Sequence, residues 1–220
     1  MSDMEATKLS LEAYLKDPCG ASSLPYWKAE TIAVPEYLTI VRDDLYTAGE
    51  YPGTDEPYFR MIHRLKHIPD CPLPAGFEFR RPTAEDLADH IAACYQSERV
   101  SAQELRAYMR HPVFDPDLWI AVRDTEQKTI AASGIAEFDR RIGEGILDWI
   151  QVSPAYRRRG LGSLIVCELL RRLESKATFV TVSGKLRTPD NPRALYEACG
   201  FTGTVIWHVV TSRMKAGSSV

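Results

Sequence analysis

The alternation of hydrophobic and polar positions predicts several strands and helices in the second half of the chain. The stretch 146–152 is rich in β-branched and aromatic residues and stops at Ser153 and Pro154, which predicts a strand that ends there. Apolar residues recur at helical spacing from Leu164 to Leu173, which predicts a helix soon after that strand. By the same criteria, further strands are predicted over 77–81, 118–123, 129–138, 179–183 and 205–210.

Two helix starts are predicted between the first two strands of that list. Thr83 is followed by Asp86, and Ser101 is followed by Glu104, with the same three-residue spacing. At this spacing each side chain accepts from the backbone N–H group of the other residue, which stabilises the first turn of a helix. With another helix over 194–199, the predicted order from the strand at 77–81 onward is β-α-α-β-β-β-α-β-α-β.

The beginning of the chain follows a less regular pattern. We predict a short helix over 9–17, strands over 31–35 and 37–42, and an amphipathic helix over 58–67. The segment 68–76 is rich in proline and ends in glycine, which predicts a linker.

The length and composition permit a substantial core. A chain of 220 residues with 45% hydrophobic residues can form one domain with an extension or two small domains. We place the division at the proline-rich linker, which gives an N-terminal α/β extension over 1–75 and a main domain over 77–215. The extension is expected to pack on the main domain, and the sequence does not indicate its role.

Charge and cysteine content narrow the class of protein. The net charge of −3 argues against general affinity for nucleic acid. No apolar run approaches the roughly 18 residues of a membrane span, and the first residues lack a basic-then-apolar signal region, so we expect a cytoplasmic protein with no membrane partner. The five cysteines are scattered without a C-x-x-C pair, which favours reduced structural thiols. The oligomeric state is open, with a homodimer as one alternative.

Three consecutive arginines, Arg157 to Arg159, precede a glycine-containing turn at the predicted start of a helix. A helix start presents unpaired backbone N–H groups and the positive end of the helix dipole. Gly160 and Gly162 let an anion approach the backbone closely, and Ser163 adds a hydroxyl. The spacing fits neither the Walker loop nor the dinucleotide fingerprint. The stretch therefore predicts a binding site for a compact pyrophosphate group.

Two blocks of sequence resemble the GNAT superfamily of N-acyltransferases. The run R-x-x-G-x-G from Arg157 to Gly162, after a strand that ends V-S-P, resembles the acyl-CoA loop of that superfamily. The block N-P-R-A-L-Y-E-A-C-G-F from Asn191 to Phe201 resembles its N-x-x-A-x-x-x-Y-x-x-x-G-F region, with a spacing compressed by one residue in places. The resemblance covers residues 77–210. It implies an α/β (α+β) fold with a mixed, mostly antiparallel central sheet flanked by helices, preceded by an N-terminal extension.

The resemblance implies acetyl-CoA as a co-substrate and no metal. The backbone of the strand before the loop would pair with the pantetheine amides like an added strand, and the loop amides would bind the pyrophosphate. The alternative for the loop is a surface helix start that binds nothing, and the alternative for Asn191 is a helix cap. The implied cofactor-binding residues are Ile150, Gln151, Val152, Arg157, Arg158, Arg159, Gly160, Leu161, Gly162, Ser163 and Asn191.

An amine is mostly protonated at neutral pH, so acyl transfer to it needs a base. In GNAT enzymes an acidic residue on the strand before the loop often acts as this base. The position that usually holds a glutamate is occupied by Ile146 here. Asp148 is the first choice, because an unpaired carboxylate in an apolar strand would be costly; its alternatives are a salt bridge and a substrate contact. Glu144 is the second candidate, with a solvated loop acid as its alternative. Strand alternation places these on one face: Glu144, Ile146, Asp148, Ile150 and Val152.

Tyr196 matches the superfamily tyrosine that protonates the departing thiolate, a role open to a phenol because it keeps its proton at neutral pH. Its alternative is packing of a helix on the sheet. Cys167 is interpreted as a core thiol and Cys199 has no histidine nearby in sequence, so no activated nucleophile is visible. His63 and His67 have the spacing for a metal on one helix face but lack a third ligand.

These patterns predict an N-acetyltransferase that moves an acetyl group from acetyl-CoA to a primary amine by direct attack in a ternary complex. The acceptor is a small molecule or a peptide. One alternative is an acyl-CoA-binding sensor or regulatory module without turnover. The other is a nucleic-acid-binding module that uses the arginine triplet, which the acidic total charge disfavours.

Overall fold

The computed structural model describes residues 9–95, 99–188 and 191–212 of the chain. Its helices are α1 (Leu11–Lys16), α2 (Tyr26–Thr31), α3 (Ala84–Cys94), α4 (Ala102–Tyr108), α5 (Leu161–Glu174) and α6 (Pro192–Ala198). Its strands are β1 (Leu38–Arg42), β2 (Thr54–His63), β3 (Phe77–Arg80), β4 (Trp119–Asp124), β5 (Ile130–Asp139), β6 (Glu144–Val152), β7 (Phe179–Lys185) and β8 (Thr202–Thr211). None of these helices has the length and hydropathy needed to pass through a lipid bilayer.

The strands form one mixed sheet in the order β1-β8-β2-β7-β6-β5-β4-β3. β8 runs antiparallel to β1 and β2, and the neighbours from β3 to β6 are antiparallel, whereas β6 and β7 are parallel. The order of elements from β3 to β8 is the predicted one. Both predicted capping boxes are present, at Thr83 with Asp86 before α3 and at Ser101 with Glu104 before α4. The expected fold class, a mostly antiparallel sheet flanked by helices, is confirmed.

The chain forms two compact units. One contains the described parts of residues 1–62, 183–193 and 202–220, and the other contains the described parts of residues 63–182 and 194–201. The division into 1–75 and 77–215 that the sequence suggests stays a prediction.

Within the first unit, a buried arginine joins the N-terminal segment to the strands. Arg60 of β2 is 1% exposed. Its guanidinium donates to the Pro18 carbonyl oxygen at 3.2 Å, to Ser183 Oγ at 3.1 Å and to the Tyr14 hydroxyl at 2.8 Å. Because a buried charge is costly without hydrogen bonds, these contacts fix α1 and the residues after it against β2 and β7.

Two predictions for the first 75 residues are wrong. The segment 58–67, predicted as a helix, begins as the strand β2, which pairs with β8 so that Tyr58 lies opposite Trp207. Pairing with a strand far along the chain overrides the local helical period. The segment 31–35, predicted as a strand, contains none; the helix α2 ends at Thr31 and an irregular segment follows.

Within the second unit, helices cover both faces of the strands. Gly134 of β5 faces α5, whereas the next residue, Ile135, packs with Leu87 and Ile91 of α3. Neighbouring residues of a strand point to opposite faces, so α5 lies on one face and α3 on the other. The side chain of Leu105 brings α4 into the same buried cluster as α3.

The substitution Gly134→Ala is expected to lower the free energy of unfolding by roughly 1–3 kcal/mol. A Cβ atom at this position would lie 2.5 Å from Ile165 Cγ2, 3.0 Å from Ile150 Cδ1 and 3.1 Å from Leu169 Cδ1. Ile165 and Leu169 are fully buried, so the added atom would force these closely packed side chains to shift. Urea denaturation measures the effect, and an unchanged free energy of unfolding would contradict this close approach.

Candidate active site

β6 has a neighbouring strand on only one side along its second half. On that side it pairs with β5 over its whole length, from Glu144 to Val152. On the other side its register with β7 ends where Leu147 lies opposite Val182. In the described part of the chain, no strand lies beside residues 149–152 at this edge, which suits their backbone groups to pairing with an extended ligand.

β6 contains a β-bulge at Trp149. The φ angle of Trp149 is +44°, in the left-handed region. The register with β5 passes from Asp148 opposite Ile135 to Gln151 opposite Ser133. β6 therefore advances by one residue more than β5 over this interval, and the alternation of its side chains shifts at the bulge.

The bulge overturns the prediction that alternate residues from 144 to 152 share one face. Gly145 faces α5, because a Cβ atom there would meet that helix, so Glu144 and Asp148 face away from α5. After the bulge, Ile150 packs against the α5-facing side of β5 and Val152 lies near the first turn of α5. The two candidate acids thus lie on one face of β6, and the residues after the bulge turn the opposite way.

The loop between β6 and α5 has two residues in the left-handed region. A 3₁₀ turn over Pro154–Tyr156 leads into it, and Arg158 and Gly160 have φ angles of +65° and +78°. Gly160 is the N-cap residue of α5, and no side chain caps the helix. A Cβ atom at Gly160 would meet no described atom within 4 Å. The first N–H groups of α5 are therefore accessible to an anion.

Positive charge surrounds this helix start. The side chains of Arg157, Arg158 and Arg159 are exposed. The guanidinium carbon of Arg159 lies 5.2 Å from the centroid of the Tyr156 ring, a cation–π contact. Exposed arginines beside the positive end of a helix dipole complement a polyphosphate.

Not every predicted cofactor-binding residue can contact a ligand through its side chain. Leu161 is 1% exposed and belongs to the core. Gln151 is 4% exposed and its side-chain amide donates to Ser133 Oγ at 2.5 Å, so only the backbone of these two residues is suited to ligand contact. Asn191 has a φ angle of +41° immediately before α6, and its backbone N–H donates to the Thr188 carbonyl oxygen at 3.4 Å.

Asp148 lies at the bulge, where its surroundings are part buried. Its Oδ1 accepts a hydrogen bond from the backbone N–H of Trp149 at 3.0 Å. This bond supports the left-handed conformation of Trp149 and fixes the direction of the carboxylate.

Glu144 is 0% exposed, so the alternative of a solvated loop acid is wrong. The residue begins β6 instead of ending the preceding turn, and its Oε1 accepts from the Thr181 hydroxyl at 2.6 Å. Both residues lie on the face of the sheet that points away from α5. This burial was not predictable from the sequence, because a glycine on each side of Glu144 is typical of a turn.

Tyr196 lies in α6 with 6% of its surface exposed. Burial raises the pKa of its phenol well above the ordinary value, and the nearby Tyr95, Asp148 and Cys199 raise that pKa further. Its ring meets the ring of Phe201 edge-on, with centroids 5.6 Å apart. The phenol therefore stays protonated at neutral pH, close to the candidate base, as a proton donor must.

Tyr95 was not predicted as part of the site. Its hydroxyl donates to the Ile150 carbonyl oxygen at 3.2 Å, and its ring meets the ring of Trp149 edge-on at 6.0 Å. It follows directly after α3, where the sequence indicates only the end of a helix. No local signal reveals the contact with β6, because it depends on the packing of α3 across the sheet.

Three cysteine thiols lie close together at the middle of α5. Cys71 Sγ lies 2.9 Å from Cys167 Sγ, which in turn lies 3.9 Å from Cys199 Sγ. Cys167 and Cys199 are buried, in line with the predicted core role of Cys167. Burial raises the pKa of Cys71 to about 12, so this thiol remains neutral.

The predicted metal pair does not lie on one face of a helix. His63 ends β2, is 3% exposed, and accepts from the Leu65 backbone N–H at 2.9 Å through Nδ1. His67 follows the strand in an irregular segment. Within the described ranges, no group of three or more histidine, cysteine, aspartate or glutamate side chains is arranged to hold a metal ion.

Comparisons with known proteins agree with this arrangement. Residues 115–203 match a sequence model of the acetyltransferase (GNAT) domain. The chain resembles a solved GCN5-related N-acetyltransferase from Sphaerobacter thermophilus with a TM-score of 0.57 and 17% identity, over 77% of this chain and 56% of that one. No curated protein matches the sequence.

Two further solved structures have similar folds. A Drosophila protein matches with a TM-score of 0.54 and 22% identity, over 71% of this chain and 51% of that one. A tandem GNAT protein from the clavulanic acid biosynthesis pathway matches with a TM-score of 0.53 and 13% identity, over 75% of this chain and 56% of that one. The present chain thus spans little more than half the length of these three structures. At these identities the likeness concerns the fold.

The matched segment contains most of the candidate site. Residues 115–203 include β6 with its bulge, the arginine-rich loop, α5 and Tyr196. The resemblance to the GNAT superfamily that the sequence suggests is therefore confirmed over this segment. Over residues 115–203, the chain therefore resembles the acetyltransferase (GNAT) domain in both sequence and fold.

Proposed function

We propose that this protein transfers an acetyl group from acetyl-CoA to a primary amine, by direct attack of the amine in a ternary complex. The observation that supports this most is the succession of two features: an edge of β6 at residues 149–152 beside which no described strand lies, and a helix start at Gly160 that no side chain caps. An extended thioester donor with a pyrophosphate at its far end needs both features in this order.

The residues of the loop suit the phosphates of acetyl-CoA. The open space beside Gly160 would admit a phosphate oxygen close to the backbone, which a side chain at this position would obstruct. The backbone N–H groups of Leu161 to Ser163 would donate to that oxygen, and the exposed Arg157 to Arg159 would neutralise its charge. Bound acetyl-CoA supplies the activated acetyl thioester.

We assign Asp148 as the general base and Tyr196 as the proton donor. Asp148 would take a proton from the ammonium form of the acceptor, so that the neutral nitrogen attacks the acetyl carbon and the C–S bond breaks. Tyr196 would give its proton to the departing thiolate, and its raised pKa keeps that proton on the phenol until the C–S bond breaks. The proton that the nitrogen loses as the amide forms would return to the phenolate. Glu144 is the second candidate base, although its burial and its bond with Thr181 favour a structural role.

Direct attack is supported by the state of the nearby thiols. Cys94 Sγ lies 3.5 Å from His90 Nε2, the kind of pair that can form a covalent nucleophile. Burial raises the pKa of Cys94 to about 11, so the reactive thiolate is scarce at neutral pH. Cys199 is 1% exposed and therefore shielded from an acyl donor.

Two measurements on one sample test the proposed function. Calorimetry with acetyl-CoA measures binding, and thiol release over a panel of small amines and N-terminal peptides measures transfer. Binding together with amine-dependent thiol release would support the proposal and identify the acceptor class. Binding without release for any amine would favour the sensor alternative, and no binding would contradict the assignment of the loop.

The substitution Gly160→Val is expected to weaken acetyl-CoA binding at least tenfold, or about 1.4 kcal/mol, because it places a branched side chain where the phosphate would approach. It also introduces ~1–2 kcal/mol of backbone strain at the φ angle of +78°. Isothermal titration calorimetry measures the affinity, and thermal unfolding measures the strain.

Gly160→Asn is the matched control for strain, since asparagine tolerates the left-handed conformation better than valine. It still places a side chain in the open space, so acetyl-CoA affinity should fall while the melting temperature changes little. Equal affinity of the asparagine variant and the original protein would show that no phosphate approaches this residue.

A further inference from the structure

Four buried or half-buried polar side chains form a hydrogen-bonded series from β6 through α3 to the start of the arginine-rich loop. The Gln151 amide donates to Ser133 Oγ, and His90 Nδ1 lies 2.8 Å from the same oxygen. His90 Nε2 lies 2.8 Å from Ser153 Oγ, which donates to the Ile130 carbonyl oxygen at 2.9 Å. These residues come from β6, β5 and α3 and end at the residue directly after β6.

The available protons indicate which group donates in each hydrogen bond of this four-residue series. A carbonyl oxygen only accepts, so the single hydroxyl proton of Ser153 points to Ile130. Ser153 Oγ must then accept from His90, which places the imidazole proton on Nε2. Nδ1 is left as an acceptor and takes the hydroxyl proton of Ser133, whose oxygen accepts from the Gln151 amide. With the Ser153 hydroxyl donating to Ile130, this pattern assigns the Nε2–H tautomer to His90.

The imidazole in the middle of this series is neutral. His90 is 6% exposed, and burial lowers its pKa to about 4. The other titratable group in contact with it is the Cys94 thiol, 3.5 Å from Nε2, which stays neutral because burial raises its pKa to about 11. Arg157 is the charged group near Cys94. A neutral His90 keeps one donor for Ser153 and one acceptor for Ser133 at physiological pH.

Backbone hydrogen bonds hold Ser153 in place where the loop begins. Its backbone N–H donates to the Ala131 carbonyl oxygen at 2.9 Å, and its own carbonyl oxygen accepts from Tyr156 at 2.8 Å to close the 3₁₀ turn. At the other end of that turn, the Tyr156 hydroxyl donates to Asp124 Oδ2 at 3.0 Å. The turn is thus held at both ends, and the exposed arginines and Gly160 follow it directly.

We propose that His90 is a positioning residue for the phosphate-binding loop: its Nε2–H holds Ser153, and Ser153 sets the direction in which the chain leaves β6 toward Gly160. This inference rests on the proposed binding of acetyl-CoA. His90 itself lies in the buried layer between α3 and the sheet, and it acts on the ligand only through the loop.

The test compares His90→Leu, which removes both hydrogen bonds, with His90→Gln, which retains an amide N–H and a carbonyl oxygen. His90→Leu is expected to raise the Kd of acetyl-CoA about tenfold, with kcat at saturating acetyl-CoA within about threefold of the original protein. His90→Gln is expected to restore much of the affinity. Ser153→Ala should resemble His90→Leu, and it serves if that variant does not fold.

Leu87→Ala is the matched control for destabilisation. Leu87 lies on the same helix, is 0% exposed, and belongs to the apolar cluster of α3. It should lower the melting temperature and leave the Kd of acetyl-CoA unchanged at a temperature where the variant is folded. An equal rise in Kd for Leu87→Ala, or an unchanged Kd for His90→Leu and Ser153→Ala, would overturn the inference.

Trypsin gives a second readout without acetyl-CoA, because it cleaves after the exposed Arg157, Arg158 and Arg159. A loop that loses its anchor opens more often, so His90→Leu and Ser153→Ala should be cleaved there several times faster than the original protein or Leu87→Ala, by about fivefold. If the original protein fails to bind acetyl-CoA, the proposed function fails, and the cleavage rates alone decide whether His90 holds the loop.

Discussion

Tyr196→Phe is expected to lower kcat by about a hundredfold while the Kd of acetyl-CoA stays within about twofold. The substitution removes the phenolic proton that we assign to the departing thiolate. It leaves the ring, and with it the edge-on contact to Phe201 at 5.6 Å, so α6 should keep its position. Steady-state kinetics and calorimetry on the same variant separate the two quantities.

Tyr108→Phe is the matched control for this result. It removes the same atom from an exposed tyrosine of α4, 37% of which is accessible to solvent. Its kcat should equal that of the original protein. If Tyr196→Phe also left kcat unchanged, Tyr196 would have only a packing role, and the proton for the thiolate would have to come from elsewhere.

Asp148→Asn is expected to lower kcat/KM for the amine about a hundredfold at neutral pH and to flatten its rise with pH. In the original protein the Trp149 backbone nitrogen lies 3.0 Å from Asp148 Oδ1. The asparagine carbonyl oxygen can still accept this hydrogen bond, so the bulge should persist. Only the basicity of the side chain is lost. A pH–rate profile of both proteins, measured with one saturating concentration of acetyl-CoA, gives the result.

Glu144→Gln distinguishes the two candidate bases. It makes the same chemical change on the same face of β6, and a glutamine oxygen can still accept from the Thr181 hydroxyl. We expect a pH profile like that of the original protein. A flattened profile for Glu144→Gln together with a normal one for Asp148→Asn would transfer the role of base to Glu144.

The elements from β3 to β8 were predictable because their signals are local. The capping boxes at Thr83 and Ser101 each involve residues three positions apart, and both are present in the structure. The glycine and arginine pattern around Gly160 likewise describes one short loop and the helix that follows it. Local hydrogen bonds and local conformational preferences suffice to specify such features.

The errors arose where distant residues decide the structure. β2 has a helical period in its sequence, and its strand conformation depends on pairing with β8, as at Tyr58 and Trp207. The burial of Glu144 depends on Thr181 in another strand, and the contact of Tyr95 with Ile150 depends on how α3 crosses the sheet. None of these partners is a neighbour in the sequence.

The bulge at Trp149 divides β6 into two parts whose side chains alternate in opposite register. Before it, Glu144 and Asp148 present acidic groups on the face away from α5; after it, Ile150 and Val152 turn toward α5 and lead to the loop. Under the proposed function, substitutions in the first part would change the side of the site that receives the amine and leave the loop that binds acetyl-CoA in place. A straight strand of the same length, without the bulge, would reverse the orientation of every side chain after Trp149 and turn Ile150 and Val152 away from α5.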